Sequence, residues 1–500
     1  MNIALFLQMA AEACPDRRAL TCDGEHYTYV ELYAAAKRAA YKFSTANCRY
    51  VTLIDVSSPA VPIVLMGAAM AGIPYVPINY RLSEEQIVPL LERIDPAYMI
   101  LGSKEGDYSR NNGVTQNTKD FMDEVLTGEE MEVTWNEDPT AVAVQLFTSG
   151  TTGTPKAAIL RHEHLMSYIL GSVDFMGAGE DEATLVSVPP YHIAGISAVM
   201  SSIYACRRVV QLANFHPAEW LQLCVNEGVT NAFVVPTMLT RIIEEISKSD
   251  FDSADLKSIV SIAYGGGKMP IPIIEQALKL IPNVNFTNAY GLTETSSTIT
   301  LLDPEDHRTA IDHDDAAIHA RLGSVGKPLP SVEVEIRDED GKQLSPWEPG
   351  EIYVRGPQVS GEYEDRSVLD DDGWFPTRDA GYLDDHGYLY LSGRADDVIV
   401  RGGENLSPGE IEDLLHRHPA ITDSAAVGMP SEEWGEVVAL AVVKAPGQDI
   451  TEDEIRQHIH EHLRSSRVPE VIHFTSELPY NETGKLLRRV VSEWFRIEGD

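Results

Sequence analysis

An α/β protein is predicted, with a large N-terminal domain built on parallel sheets, a β-rich subdomain within it, and a small α+β C-terminal domain. Three observations predict this. Short β-branched runs alternate with helix-length amphipathic stretches through the first two-thirds of the chain, as in parallel α/β sheets. Alternating strands around polar turns take over at 323–392, and a smaller helix-and-strand unit follows Gly393-Arg394-Ala395-Asp396. Five hundred residues also exceed what one core holds, since domains usually run ~100–200 residues. The boundary is placed between 395 and 396, giving domains 1–395 and 396–500, with the β-rich subdomain at 323–392.

The elements follow in order. The first 20 residues predict an amphipathic helix; with no Lys or Arg ahead of the apolar stretch they lack the form of a secretory signal. Residues 50–56 read as strand, 60–72 as helix and 73–78 as strand again. Segments 142–147, 184–188, 209–212, 231–235 and 259–264 repeat the strand pattern, most of them followed by a helical stretch, so binding loops are expected at their C-terminal ends. Residues 104–117 are polar and read as a surface loop. In the β-rich region VEVEIRDEDGKQL and GYLDDHGYLYLSG each read as a hairpin around an Asp- and Gly-containing turn. The last unit is predicted as helix 407–418, strands near 424–428 and 437–443, helix 451–464 and a basic end at 485–489.

Composition narrows the function. Thirty-nine Lys and Arg against 77 Asp and Glu give a net charge of −38, which repels nucleic acid and anionic membrane surfaces. An anionic substrate must be held locally, by backbone N–H groups, a cation and a few placed basic side chains. Five cysteines without a CxxC pair suggest neither a disulfide framework nor a zinc ribbon, and a reducing, cytoplasmic setting is expected. The longest apolar run, 61–73, is too short to span a bilayer, so no transmembrane segment is expected.

The most informative stretch is QLFTSGTTGTPKA at 145–157. A buried strand runs into glycines, hydroxyls, Pro155 and Lys156, a loop able to turn tightly and offer N–H groups, hydroxyls and one ammonium to a polyphosphate. It is not a Walker loop, because Gly150 and Gly153 are too close and Lys156 comes too late. The loop alone serves a structural turn as well as a phosphate site.

TSGTTGTPK at 148–156, AYGLTET at 289–295, WFPTRDAGYLDDHGYLYLSGRADDVIVRGGENLSPGEIE at 374–412 and NETGKLLRR at 481–489 decide between them, because together they resemble the adenylate-forming superfamily of acyl-CoA synthetases, adenylation domains and luciferases. The resemblance covers nearly the whole chain and is nearest the AMP-forming acyl- or aryl-CoA ligases. It implies a mobile C-terminal domain with the active site between the two domains. It further implies ATP-dependent activation of a carboxylic acid to an acyl-adenylate, then transfer to a thiol. ATP, Mg2+ and coenzyme A are the implied cofactors, with carrier-protein phosphopantetheine as the alternative acceptor.

Residue by residue, the resemblance assigns Thr148, Ser149, Gly150, Thr151, Thr152, Gly153 and Lys156 to the phosphates. Glu294 is similar to the magnesium ligand and Thr293 to the α-phosphate contact. Tyr290 stands where the family stacks a ring on adenine, with Gly265, Gly266 and Gly267 letting backbone approach the base and acyl group. Asp379 resembles the ribose-binding acid, a carboxylate suiting a vicinal diol because it offers two acceptor oxygens. Arg394 is similar to the arginine that closes on ribose and phosphate, Asp396 to the hinge, and Lys485 to the lysine that reaches the carboxylate and α-phosphate during adenylation. His192 stands where acyl-CoA synthetases carry a histidine beside the acyl pocket; a satisfied core histidine is the equal alternative.

No Asp in YHIAGISAV at 191–199 stands ready for a substrate ammonium, which favours a fatty, aryl or other hydrophobic acid. Of His458, His460 and His462, only the first and last share a helix face, too few for a metal site. Relatives that use CoA carry a basic and aromatic segment before the last motif. Here it is SSRVPE at 465–470, with Glu470 expected to repel a phosphate, while Trp434 resembles a tryptophan that packs on the CoA adenine. Three readings follow: an acid:CoA ligase, a stand-alone adenylating enzyme serving an acyl carrier protein or another nucleophile, and a silent ATP-binding homologue. The third is disfavoured because Glu294, Asp379, Arg394 and Lys485 are all present. The expected partners are the carboxylic acid, a carrier protein on the second reading and a second copy of the chain as a homodimer; nucleic acid is not expected.

Overall fold

The computed structural model describes residues 1–102, 112–129, 132–133, 135–148, 155–249, 251–394, 397–402, 404–431, 433–481 and 486–497. Among these, nine strands form one sheet in the order Lys327–Pro328, Ser297–Leu302, Asn285–Leu292, Ser261–Gly265, Asn231–Val234, Ala183–Val186, Arg208–Gln211, Arg18–Cys22 and Glu25–Thr28. The five strands from Asn285–Leu292 to Arg208–Gln211, with Arg18–Cys22 beside them, run parallel, and the two edges are antiparallel.

Alternation along the parallel strands sorts their side chains by size. Register aligns Leu185, Ala232, Ile262 and Phe286 on one face, followed by Val234 and Tyr264. These are buried in a core with Leu239, Ile242, Ile243, Ile274 and Ala277 from helices Pro236–Lys248 and Ile271–Leu280. Proline in the first turn of each helix fits there because the N–H it lacks would have no intrahelical acceptor. The opposite face carries Thr184, Asn231 and Ser261 in one row, then Phe233, Ala263 and Thr287 in the next. Helix Ile193–Tyr204 covers this second face.

Strands Tyr50–Ile54, Ala97–Leu101 and Val114–Asn117 make a parallel sheet, and Val142–Thr148 pairs antiparallel with Lys156–Arg161. Segment 73–78, expected as a strand, joins these two groups as extended chain with isolated bridges from Tyr75 to Val51 and Val144. Pro74 and Pro77 have no N–H, so a regular ladder cannot form. Part of the expected surface loop at 104–117 is also strand, since Val114–Asn117 pairs with Ala97–Leu101; residues 103–111 lie outside the described residues. The second helix, Tyr29–Thr45, opens on a reciprocal cap: Glu31 N–H donates to Thr28 Oγ1 while Thr28 N–H donates to the Glu31 carboxylate.

The β-rich region is an antiparallel sheet of Glu333–Arg337, Gly350–Arg355, Phe375–Leu383 and Leu389–Arg394. The turn at 338–341 closes as expected, but the partner of Glu333–Arg337 is Gly350–Arg355, not the residues directly after the turn, which add one bridge from Arg337 to Gln343. The second predicted hairpin forms as read. After residue 396 a separate sheet holds Ile421–Ser431, Gly435–Lys444 and Val471–Thr475, with helices Pro408–Leu415, Glu452–His462 and Arg488–Ile497. Of its basic end, Arg488 is drawn inward: it makes a bidentate pair with buried Glu412, at 2.5 and 2.7 Å, and also donates to Ala426 O. Burial opposes that carboxylate's ionisation, yet the Arg488 charge and hydrogen bonds hold its pKa below the usual value. Polar contacts among the described residues that join this unit to the rest include Ser407 Oγ to Ser392 O at 2.5 Å and Lys268 Nζ to Asp413 Oδ2 at 2.6 Å. No helix among the described residues is long and apolar enough to cross a membrane.

Candidate active site

Cross-strand register brings Asp379 opposite Arg394, and Arg394 Nη1 donates to Asp379 Oδ1 at 2.8 Å. Tyr290, near the end of Asn285–Leu292, donates its hydroxyl to the other oxygen, Oδ2, at 2.6 Å. Burial, with the Asp379 charge added, raises the Tyr290 pKa well above its ordinary value, so the phenol stays protonated and a donor. Asp379 N–H is itself held by Thr377 Oγ1 at 3.1 Å, and Arg378 sits at φ 61°, a left-handed kink immediately before the acid. Each carboxylate oxygen keeps acceptor capacity beyond these bonds.

Three residues beyond Tyr290 the chain enters a short 3-10 turn, Thr293–Thr295, followed by Ser296 at φ 56° and Ser297 at φ 115°. Two consecutive residues at positive φ, neither of them glycine, are unfavourable locally and are held by what surrounds them. Glu294 in this turn is only 7 % exposed. Its carbonyl accepts from Ser360 N–H at 2.8 Å and Gly361 N–H at 3.3 Å, and its Oε1 accepts from Tyr363 Oη at 2.6 Å. The segment around Tyr363 is in turn paired with the strand that leaves the glycine- and threonine-rich loop: Ile159 N–H donates to Glu362 O and Glu364 N–H to Ala157 O. Thr148 and Lys156 are cross-strand partners at the loop's two ends, and Lys156 Nζ lies 5.6 Å from the centre of the Tyr363 ring. Ser149, Gly150, Thr151, Thr152 and Gly153 lie outside the described residues.

The glycine triplet ends strand Ser261–Gly265. A Cβ on Gly265 would meet Ala289 O at 2.1 Å, and Gly266 adopts φ 83°, so these two glycines have a structural requirement of their own. Gly267 leads into Lys268, the residue paired with Asp413.

Beside this cluster lies a cavity of about 350 Å³. It occupies the sheet face that carries Thr184, Asn231, Phe233, Ser261, Ala263, Thr287 and Ala289, and helix Ile193–Tyr204 closes it with Ala194, Ser197, Ala198 and Ser201. Those four positions form a single i, i+3, i+4, i+7 stripe. The side chains are too small to meet across the gap. Ser297 and Thr298, which follow the Glu294 turn, line the same cavity, as does Arg207, whose guanidinium pairs with Glu182 at 2.9 Å. Thr184 is 8 % exposed and its hydroxyl has no hydrogen-bond partner among the described residues.

Of the other expected residues, His192 and Trp434 are not among those lining this cavity. His192 occupies the N-cap position of Ile193–Tyr204 without a side-chain capping bond, its ring 4.6 Å from that of Tyr191. Burial, with the Arg81 charge adding, pushes its pKa down to about 4, so it is a neutral imidazole at pH 7. Trp434 is 44 % exposed on the C-terminal unit, against Gly402 and 5.9 Å from the Arg401 guanidinium. Glu470 is not a bare charge: Arg401 pairs with it at 2.9 Å, which removes the basis for the repulsion expected from the sequence. Arg467 is likewise engaged by Glu410 at 3.0 Å. His418 and His462 both pack on His458, with ring centres 4.9 and 4.5 Å away, but no group of three metal-ligating residues among the described ones is arranged to hold an ion. Lys485 and Asp396 lie outside the described residues.

The sequence pattern of the AMP-binding enzyme family matches residues 7–364, and that of the AMP-binding enzyme C-terminal domain matches 410–485. The chain belongs to the AMP-binding enzymes. A 2-succinylbenzoate–CoA ligase from Bacillus mycoides (strain KBAB4) is 32% identical over 97% of both chains. The o-succinylbenzoate CoA synthetase of Bacillus subtilis in complex with its acyl-adenylate intermediate superposes with a TM-score of 0.84 at 29% identity, covering 97% of both chains. The same enzyme in complex with ATP and magnesium ion gives 0.83 at 29% identity, over 97% of this chain and 98% of the other. This AMP-binding enzyme is accordingly an AMP-forming acid–thiol ligase. Its Glu294 suits magnesium: one oxygen is fixed by Tyr363, no described donor reaches the other, and Mg2+ takes few carboxylates, filling its octahedron with water and phosphate oxygens.

Sequence reading missed Tyr363 and the cavity. Tyr363 joins Lys156 to Glu294 through pairing between segments some 200 residues apart, which carries no local signal. The cavity did leave one: Thr184, Asn231, Ser261, Ala263, Thr287 and Ala289 are small or polar on one face of four parallel strands, interrupted by Phe233.

Proposed function

We propose that this enzyme activates an aromatic carboxylic acid bearing a polar substituent, 2-succinylbenzoate being the representative, and transfers it to coenzyme A. The observation that carries the reading is the cavity, whose wall shares Ala289, Ser297 and Thr298 with the strand and turn that bear Tyr290 and Glu294. An acid lodged there lies alongside the proposed nucleotide site. A fatty chain, also expected from the sequence, is a poorer occupant: alkyl groups gain nothing from nine Ser and Thr hydroxyls and would leave Thr184 without a partner.

In the proposed reaction a carboxylate oxygen attacks the α-phosphorus of ATP, forming a C–O–P link as the bond to pyrophosphate breaks. The thiol sulfur then attacks the acyl carbon, and AMP leaves with the bonding electrons of the C–O bond. The loop from Thr148 to Lys156 would take the phosphates, Thr293 the α-phosphate, Asp379 the ribose diol and Tyr290 with Gly265–Gly267 the adenine. Magnesium held by Glu294 would offset phosphate charge. Lys485 would steady the attacking carboxylate and Arg394 close on the ribose. Asp396 would be the hinge about which 396–500 turns between the two steps, and Trp434 would meet CoA. His192, neutral and outside the cavity wall, would act on the site only through the helix it precedes. With Glu470 neutralised, CoA is the preferred acceptor over a carrier protein, and we place the enzyme in the cytoplasm, where ATP and CoA are supplied.

Pyrophosphate exchange over a panel of 2-succinylbenzoate, benzoate and octanoate tests the acid, and thioester formation with CoA beside a holo carrier protein tests the acceptor. Fastest exchange with the succinylated acid, and transfer to CoA, are expected. Exchange with octanoate alone would overturn the choice of acid, and transfer to the carrier alone the choice of acceptor.

A further inference from the structure

We propose that Tyr363 is a positioning residue that sets Glu294 for a divalent cation and seats Lys156 over its ring, so that the loop lysine and the metal-binding carboxylate are placed by one side chain. The proposal rests on the reading of Glu294 as the magnesium ligand given above.

Three observations converge on Tyr363. Its hydroxyl donates to Glu294 Oε1 at 2.6 Å, a charge-assisted bond that fixes the rotamer and leaves the second oxygen to a cation. Its ring lies 5.6 Å from Lys156 Nζ, within reach of a cation–π attraction. Its backbone is held from both sides, since residues 362 and 364 pair with the Lys156–Arg161 strand while 360 and 361 donate to Glu294 O. Phenol and backbone therefore grip Glu294 together. Lys156 and Glu294 carry opposite charges, and with the hydroxyl occupying one carboxylate oxygen the cation site keeps a single defined ligand atom.

The experiment is equilibrium ATP binding by calorimetry, without the acid substrate, as a function of free Mg2+ and also in excess chelator. Tyr363→Phe should raise the Mg2+ needed for half-maximal stimulation of ATP binding by ~10–150-fold, the loss expected for one hydrogen bond to a charged group. Metal-free ATP binding should stay at the wild-type value, the protein should remain folded with a lowered melting temperature because a buried carboxylate loses its donor, and high Mg2+ should restore binding. Tyr363→Leu, which also removes the ring, should in addition weaken metal-free ATP binding through Lys156. A folded Tyr363→Phe protein with wild-type Mg2+ dependence would overturn the carboxylate half of the proposal, and a Tyr363→Leu protein matching Tyr363→Phe would overturn the lysine half. Glu294→Gln separates the two levels. If it shifts the Mg2+ dependence while Tyr363→Phe does not, the proposal on Tyr363 fails alone; if Glu294→Gln shifts nothing, the metal role of Glu294 fails and takes this proposal with it.

Discussion

The two faces of the parallel sheet are made by the same strands and obey opposite rules. On one, Leu185, Ile262, Phe286, Val234 and Tyr264 are fully buried against two helices, and the Tyr264 hydroxyl is matched: it meets His307 Nε2 at 2.8 Å, and His307 Nδ1 meets Asp303 O at 2.7 Å. On the other, Thr184, Ser261, Ala263, Thr287 and Ala289 leave about 350 Å³ open, and the Thr184 hydroxyl is unmatched. Protein interiors are otherwise close-packed, so a face that stays unfilled next to strained backbone marks a place reserved for something else. The filled face holds the fold together, and the open face is where the acid is proposed to sit.

The largest expected effect lies on the filled face. Phe286→Ala should cost about 3–5 kcal/mol, from lost burial plus the cavity left behind. Denaturant unfolding reads this directly, and the choice among acids should not change in whatever protein remains folded. A cost under about 1 kcal/mol would mean that this face is not close-packed.

Next comes Ala263→Phe on the open face. Here an added ring enters space that already exists, so stability should hold within about 1 kcal/mol while pyrophosphate exchange with the aromatic acid falls ~100-fold, roughly 2.7 kcal/mol at 1.36 kcal/mol per factor of ten. ATP binding should be unaffected. If exchange persists and the protein is instead destabilised by overpacking, the cavity is not the acid site.

How much of this was legible in the sequence follows from how local each feature is. The α/β class, most of the strands and the family were readable because the motif strings are contiguous and each places a glycine, a carboxylate or a lysine at a fixed offset. Asp379 and Arg394 lie 15 residues apart on one hairpin, so their pairing is nearly a local event. Failures came where the partner is distant or absent. Segment 73–78 looks like a strand until Pro74 and Pro77 are set against a ladder. Residues 332–337 skip their neighbours across the turn to pair with 350–355, because the buried positions Ile336, Ile352 and Val354 match there. Glu470 looked like a repulsive charge because Arg401, 69 residues away, is invisible to local reading. The open sheet face needed the register of four strands at once.

A smaller effect tests the polar matching of the filled face. Tyr264→Phe keeps the ring and removes the hydroxyl, which leaves His307 Nε2 buried without its partner. A loss of about 1–3 kcal/mol is expected, larger than the area change alone could give. No loss would mean that water replaces the phenol and that the two faces do not differ in this respect.

The smallest effect has the opposite sign and is the sharpest test of the comparison. Thr184→Val is nearly isosteric and deletes a buried hydroxyl that has no partner among the described residues. Removing an unmatched polar group should leave stability unchanged or raise it by up to about 1 kcal/mol, because folding no longer strips that hydroxyl of water. Thr300→Val is the control: its hydroxyl donates to Val325 O at 2.8 Å, so the same change there should cost about 1–2 kcal/mol and orphan a carbonyl. If Thr184 is unmatched because it waits for a polar group on the acid, Thr184→Val should lower kcat/KM for 2-succinylbenzoate ~5–10-fold and leave that for benzoate nearly unchanged, since a lost hydrogen bond penalises only the ligand that made it. Equal destabilisation by Thr184→Val and Thr300→Val would show that Thr184 is matched within the protein. Equal kinetic losses for both acids would place the hydroxyl away from the substituent, and the open face would then select by shape alone.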